Sequence, residues 1–268
     1  MICREIDNYT SDLYNSNLCK PKRYKRMPSS MATNSPKEDK LAIGILEVQG
    51  AFNEHHVALR KAQKCLNIPD LEIIGVRHPD HISDKIDGLI IPGGESTTMS
   101  LFLKRNKMDE PLRKWIDTKS HVTWGTCAGM ILLSKQTENQ KIGGQPSLAE
   151  MDIDVSRNFF GRQINSFEAP VKLKQQLFVP EAFKNCDADD IYHGVFIRAP
   201  AVVEICSPEV TVLATLDRSG SQQPEVIVAV QQGNMLATAF HPELTADVRW
   251  HAHFIEMICT AKKNSNVL

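Results

Sequence analysis

Val122-Thr123-Trp124-Gly125-Thr126-Cys127-Ala128-Gly129-Met130-Ile131-Leu132-Leu133 sets a cysteine between a short apolar strand run and an apolar helical one. Glycines two residues either side keep side chains out of a tight strand-to-helix turn, the layout of a nucleophile elbow. The helix start that follows favours a thiolate and offers backbone N–H groups to an oxyanion. Taken alone, a free cysteine is more simply a small buried hydrophobe, so the pentapeptide acquires meaning only from its surroundings.

Upstream, the apolar run Leu41-Ala42-Ile43-Gly44-Ile45-Leu46 precedes Gly50 and a helical stretch over Ala51 to Leu66. Glu72 to Val76 and Gly88 to Ile91 read as strands, the second ending in Pro92-Gly93-Gly94. Helices are expected from about Ser96 or Thr97 and over Pro111 to Thr118, and His121 to Trp124 forms the fourth strand. This alternation predicts a parallel sheet covered on both faces, with its crevice outside the carboxyl ends of the strands. Downstream, Asp152 to Val155, Ile164 to Leu173, Val195 to Ile197, Val210 to Leu216, Glu225 to Gln231 and Met235 to Phe240 read as strands with few helices between them. That pattern predicts an antiparallel extension, closed by a helix over Thr245 to Lys262.

Residues 1–40 differ, with Lys20-Pro21-Lys22-Arg23-Tyr24-Lys25-Arg26, a Pro/Ser-containing stretch and eight basic against five acidic residues. They read as a disordered basic leader before one domain over 41–268. The whole chain carries a net charge of −1, which gives no general attraction to nucleic acid or to an anionic membrane. No apolar run reaches the roughly 20 residues of a membrane span. The seven cysteines are scattered, with neither a CxxC pair nor metal-ligand spacing, so neither a disulfide framework nor a metal site is expected. Without a secretory pattern, a cytoplasmic location is the expectation.

A thiol nucleophile needs a base, and the base needs an orienter. Of nine histidines, His55, His56, His78, His81, His121, His251 and His253 read as surface or capping residues, and His193 as a loop residue near enough to a strand end to stay a second candidate for the base. His241 instead ends the buried-strand pattern Met235 to Phe240. Glu243, two residues on, shares its side in extended chain and can orient the ring. Pro92-Gly93-Gly94-Glu95-Ser96-Thr97-Thr98 offers glycine N–H groups to an oxyanion and Ser96 or Thr97 as a helix cap, without the GK[ST] of a phosphate loop.

Gly125-Thr126-Cys127-Ala128-Gly129 with His241-Pro242-Glu243 resembles the class I, triad-type glutamine amidotransferases. Pro92 to Met99, Arg157-Asn158 with Phe160-Gly161-Arg162-Gln163, Ser166-Phe167-Glu168, Val195 to Pro200 and His241 to Thr245 are similar to the glutaminase subunits of pyridoxal 5′-phosphate synthase, in order over about residues 41 to 262. The resemblance implies a three-layer, flavodoxin-like α/β fold and hydrolysis of L-glutamine to L-glutamate and ammonia. It implies Cys127 as nucleophile, His241 as base and Glu243 as its orienter. Gly94, Glu95, Ser96, Arg157, Ile197 and Arg198 would hold glutamine, and Gly93, Gly94 and Ala128 would form the oxyanion hole. It implies no metal or organic cofactor, and a (β/α)8-barrel synthase subunit receiving ammonia in a hetero-oligomer for vitamin B6 synthesis. Glu47 departs from the small residue that relatives commonly carry near the first strand end. A Cys-dependent hydrolase of another γ-glutamyl compound and a catalytically silent interaction subunit are the competing readings.

Overall fold

A computed structural model of the chain describes residues 40–138, 148, 151–161, 166–174, 191–218 and 225–265. The leader expected over 1–40 lies outside them save for Lys40, as do residues 139–147 and 162–165.

Five parallel strands form the first half of the sheet, in the order β2 (Leu71–Val76), β1 (Leu41–Leu46), β3 (Gly88–Ile91), β4 (Val122–Thr126) and β12 (Met235–Thr238). Their side chains alternate between two cores, as the period of two requires. Ile43, Ile45 and Ile90 pack with Ala58, Leu59 and Ala62 of α1 (Phe52–Leu66) and with Phe254, Ile255 and Ile258 of α5 (Arg249–Ser265). Leu46, Leu89 and Ile91 pack instead with Met99 and Leu103 of α2 (Ser96–Arg105) and with Leu112 and Trp115 of α3 (Asp109–Ile116). Helices on both faces of the sheet give the expected three layers.

Beyond β12 the sheet continues antiparallel through β11 (Glu225–Gln232), β10 (Val210–Asp217), β7 (Ser166–Leu173) and β8 (Ile191–Ile197). A branch of β5 (Ser134–Glu138), β6 (Met151–Ser156) and β9 (Ala201–Ile205) joins it at β11. The sequence reading misses β5, whose Ser-Lys-Gln-Thr-Glu has no apolar alternation, and β9, a short run directly after Pro200. It also starts the last helix too early. Residues Pro242–Leu244 form a 3-10 turn, Thr245 donates its hydroxyl to the Pro242 carbonyl, and α5 begins only where Asp247 accepts the Arg249 N–H at 2.9 Å.

The chain runs from β1 outward to β2 and returns to β3, so a crevice opens at the carboxyl ends of β1 and β3. The two loops leaving those ends touch. Gly50 has φ +89°, and a Cβ placed on it would lie 1.8 Å from the Gly93 carbonyl oxygen. Glu47 fits at this strand end because its buried carboxylate pairs with His56 and Arg77, while Gly75 beside it has no side chain to intrude.

Candidate active site

Cys127 lies between β4 and the short helix α4 (Ala128–Leu133) with φ +50° and ψ −102°, a conformation costly to any residue with a Cβ. The surroundings impose it. The Cys127 N–H donates to the Thr238 carbonyl of β12 at 2.8 Å. A Cβ on Gly129 would come 2.1 Å from the Ile91 carbonyl oxygen, and one on Gly125 would come 2.5 Å from the Gly129 carbonyl carbon. Both glycines are therefore required for space. The first N–H groups of α4, from Ala128 onward, have no acceptor within the helix.

His241 follows β12 and donates its backbone N–H to the Val195 carbonyl at 2.8 Å. Its ring Nδ1 lies 2.7 Å from Glu243 Oε1, and both residues are buried. The contact arises differently from the alternation expected of extended chain, because Glu243 is carried by the 3-10 turn. On the other side, the His241 ring and the Cys127 thiol face the same cavity, and the thiol donates to the Ile197 carbonyl at 3.8 Å. Burial alone would lower the His241 proton affinity. Hydrogen bonds and charge interactions with Cys127 and Glu243 outweigh it and push the ring up to about 10. For Glu243, burial pushes the carboxyl up, but His55 and His241 together hold it below the usual range.

The glycine-rich loop supplies the third side. Ser96 is already the first residue of α2, and the cap is Glu95, a correction to the Ser96 or Thr97 expected. The Glu95 carboxylate accepts the Thr97 and Thr98 N–H groups at 3.1 and 2.7 Å and the Thr98 hydroxyl at 2.7 Å, which holds its pKa low against a burial penalty. Arg157 donates to Ser96 Oγ at 2.8 Å and Thr97 Oγ1 at 3.0 Å, and reaches Glu95 Oε1 at 3.4 Å. Gln49, from the loop after β1, accepts the Glu95 N–H at 3.2 Å.

These segments enclose one cavity of about 400 Å³. Gly93, Gly94, Glu95, Ser96, Cys127, Ala128, Arg157, Ile197, Arg198 and His241 all line it, with Glu243 behind His241. Four strand ends thus converge, those of β1, β3, β4 and β12. His193, read as a loop residue, lies exposed within β8.

The sequence reading missed Asn158, which lines the cavity, Gln49, which holds the Glu95 backbone at its edge, and more consequentially His55 and His251. His55 is wholly buried with Nε2 3.4 Å from Glu243 Oε2 and Nδ1 3.0 Å from His251 Nε2. The signal was present. His55 precedes the buried Ala58, Leu59 and Ala62 on one helical stripe, and His251 stands in the same relation to Phe254, Ile255 and Ile258.

A doubly covered α/β sheet with a cysteine elbow facing a buried His-Glu pair is the arrangement of a glutamine amidotransferase. The chain belongs to the SNO glutamine amidotransferase family, which it matches over residues 45–260. It is 43% identical over 219 residues to the pyridoxal 5′-phosphate synthase subunit PdxT of Carboxydothermus hydrogenoformans, covering 82% of this chain and 98% of that one. It is 42% identical over 234 residues to the probable pyridoxal 5′-phosphate synthase subunit PDX2 of Arabidopsis thaliana, covering 81% and 86%. A crystal structure of a glutamine amidotransferase matches with a TM-score of 0.63 at 35% identity, covering 81% of this chain and 98% of that one. Among the described residues no helix is long and apolar enough to cross a membrane.

Proposed function

We propose that this chain hydrolyses L-glutamine to L-glutamate and ammonia, as the glutaminase subunit that supplies ammonia for pyridoxal 5′-phosphate synthesis. The observation that carries the reading is that Cys127 and His241 line one cavity, with the His241 Nδ1 2.7 Å from the buried Glu243. Family membership and the synthase-subunit relatives supply the substrate and the product's use.

Cys127 Sγ attacks the side-chain amide carbon of glutamine and its proton passes to His241, whose raised proton affinity suits it as acceptor. The amide oxygen becomes an oxyanion, met by the Ala128 N–H and the N–H groups of the Gly93-Gly94 turn. His241 then gives its proton to the departing nitrogen, which leaves as ammonia, and a thioester remains. Water attacks the thioester while His241 removes its proton, and glutamate leaves as the thiol is restored. Arg157 and Arg198, both at the cavity wall, supply positive charge for the substrate carboxylate, with Gly94, Glu95, Ser96 and Ile197 shaping its seat.

Free ammonia is protonated near neutral pH, so the product needs a nearby acceptor. The acceptor is a (β/α)8-barrel synthase subunit in a hetero-oligomer, and the reaction belongs in the cytoplasm. Ammonia release and glutamine-dependent pyridoxal phosphate formation should be measured with and without that subunit. Labelling by a glutamine-analogue electrophile should occur in the parent and vanish in Cys127→Ala. Full activity without the subunit would overturn the partner dependence, and no labelling of the parent would overturn the glutaminase reading.

A further inference from the structure

Glu243 uses Oε1 for His241, and its second oxygen, Oε2, is buried without a hydrogen bond among the described residues. A carboxylate shut away from water with half its acceptor capacity unused is expensive unless a donor faces it. His55 Nε2 is that donor by position, 3.4 Å away with neither side chain exposed. We propose that His55, held by His251, is a positioning residue that fixes the Glu243 carboxylate and through it the His241 ring. The proposal rests on the glutaminase reading and deepens it.

The tautomers follow from the contacts. If His55 carries its proton on Nε2, it faces Glu243 with N–H, and its bare Nδ1 accepts from His251 Nε2–H across 3.0 Å. The His251 Nδ1, buried without a partner among the described residues, is then an unused lone pair. Reversing both rings would turn a lone pair toward the carboxylate and leave a buried N–H at His251 Nδ1 without an acceptor. That is the costlier state on two counts. Thr126, immediately before the nucleophile, hydrogen-bonds His55 Nε2 through Oγ1 at 3.4 Å, so in this tautomer the one Nε2–H is shared between that hydroxyl and Glu243 Oε2. The ionisable groups acting on His55 are Glu243 and His241 after β12, His251 on α5, and Glu54 and His56 on its own helix. Burial lowers the proton affinity of both His55 and His251, against the Glu243 carboxylate, which raises that of His55. The chain of contacts therefore runs His251, His55, Glu243, His241, Cys127, anchoring the triad from two helices on one face of the sheet.

Two measurements test this. On the full chain with ¹⁵N-labelled histidine, long-range proton–nitrogen spectra should assign the Nε2–H tautomer to both His55 and His251. An Nδ1–H tautomer on His55 would overturn the proposal without any substitution. In the complex with the synthase subunit, His55→Leu should lower glutaminase kcat about 10- to 100-fold with KM within about two-fold, since a misplaced base costs turnover rather than binding. His55→Gln, whose amide nitrogen falls near the Nε2 position, should recover most of that loss. A kcat for His55→Leu within about two-fold of the parent would overturn the proposal, as would a loss carried by KM or a Gln variant no better than the Leu one. Should His55→Leu fail to fold, the tautomer spectrum decides. A parent without glutaminase activity would instead overturn the glutaminase reading and leave the tautomer result standing.

Discussion

Gly93→Ala tests whether the base is held by the loop opposite it. A Cβ on Gly93 would lie 2.3 Å from His241 Cε1, 3.0 Å from Nδ1 and 3.3 Å from Nε2. Carbon atoms in contact sit at about 3.5 to 4.0 Å, so the ring would have to retreat by more than about 1 Å. The loop cannot retreat instead, because the Gly93 carbonyl already abuts Gly50 from the other side. Backbone strain plays no part, since Gly93 is outside the positive-φ set, and its N–H is retained. Overpacking of this kind costs about 1 to 3 kcal/mol. For a domain of this size that is a melting-point drop of about 2 to 12 °C. The catalytic effect is larger, because a displacement of about 1 Å at a reacting group can cost about a hundredfold in rate. The assay is ammonia release with the synthase subunit at saturating glutamine, beside a thermal melt. Turnover within about three-fold of the parent would refute the reasoning. Gly129→Ala is the contrast, because its Cβ would meet the immobile Ile91 carbonyl at 2.1 Å and should cost folding before chemistry.

Cys127→Ala should abolish ammonia release and lower the His241 pKa from about 10, since the thiol is one of the partners raising it; an NMR titration with an unchanged midpoint would contradict this. His241 is raised in the fold from 6.5, so the stability it contributes is complete below about pH 6.5 and is lost as pH rises through about 10. Glu243 is lowered from 4.5, so its contribution is present above about 4.5 and lost as pH falls through its depressed value. Urea unfolding between pH 6.5 and 10 should therefore show a decline that is flatter in His241→Gln, and parallel curves would be the contrary result. Glu95→Ala removes the cap of α2 and a partner of Arg157, and should cost about 0.5 to 2 kcal/mol by thermal melt while raising the KM for glutamine.

The parallel half of the fold was legible because β1 and β3 are dense apolar runs with a glycine within four residues of their ends, β4 stops at the Gly125 to Gly129 elbow, and the covering helices carry apolar stripes. The branch was not. β5 is polar and largely exposed, held by pairing to β6 rather than by an apolar face, so no periodicity marks it. Cys127, His241 and Glu243 were legible for a related reason: each stands where a regular pattern stops, and a chain break beside a reactive side chain is visible in one dimension. The Glu95 cap was misplaced by one or two residues because Ser and Thr are the usual caps, while here a carboxylate reaches two N–H groups and a hydroxyl together.

His55 and His251 show the converse. Each interrupts nothing, lying within a helix on the same stripe as apolar residues, and one-dimensional reading assigns an isolated histidine there to the surface. The positions at i+3, i+4 and i+7 from each are buried, which requires the histidine to be buried too. A buried imidazole loses least when its ring N–H finds a partner, and α1 and α5 pack against each other, so the two rings meet. Among the described residues the buried oxygens within reach of His55 Nε2 are Thr126 Oγ1 and the free oxygen of Glu243, and of the two only the second is a carboxylate. Helical periodicity followed by hydrogen-bond satisfaction thus leads from two apparently ordinary residues to the back of the triad, where local motif reading has nothing to detect.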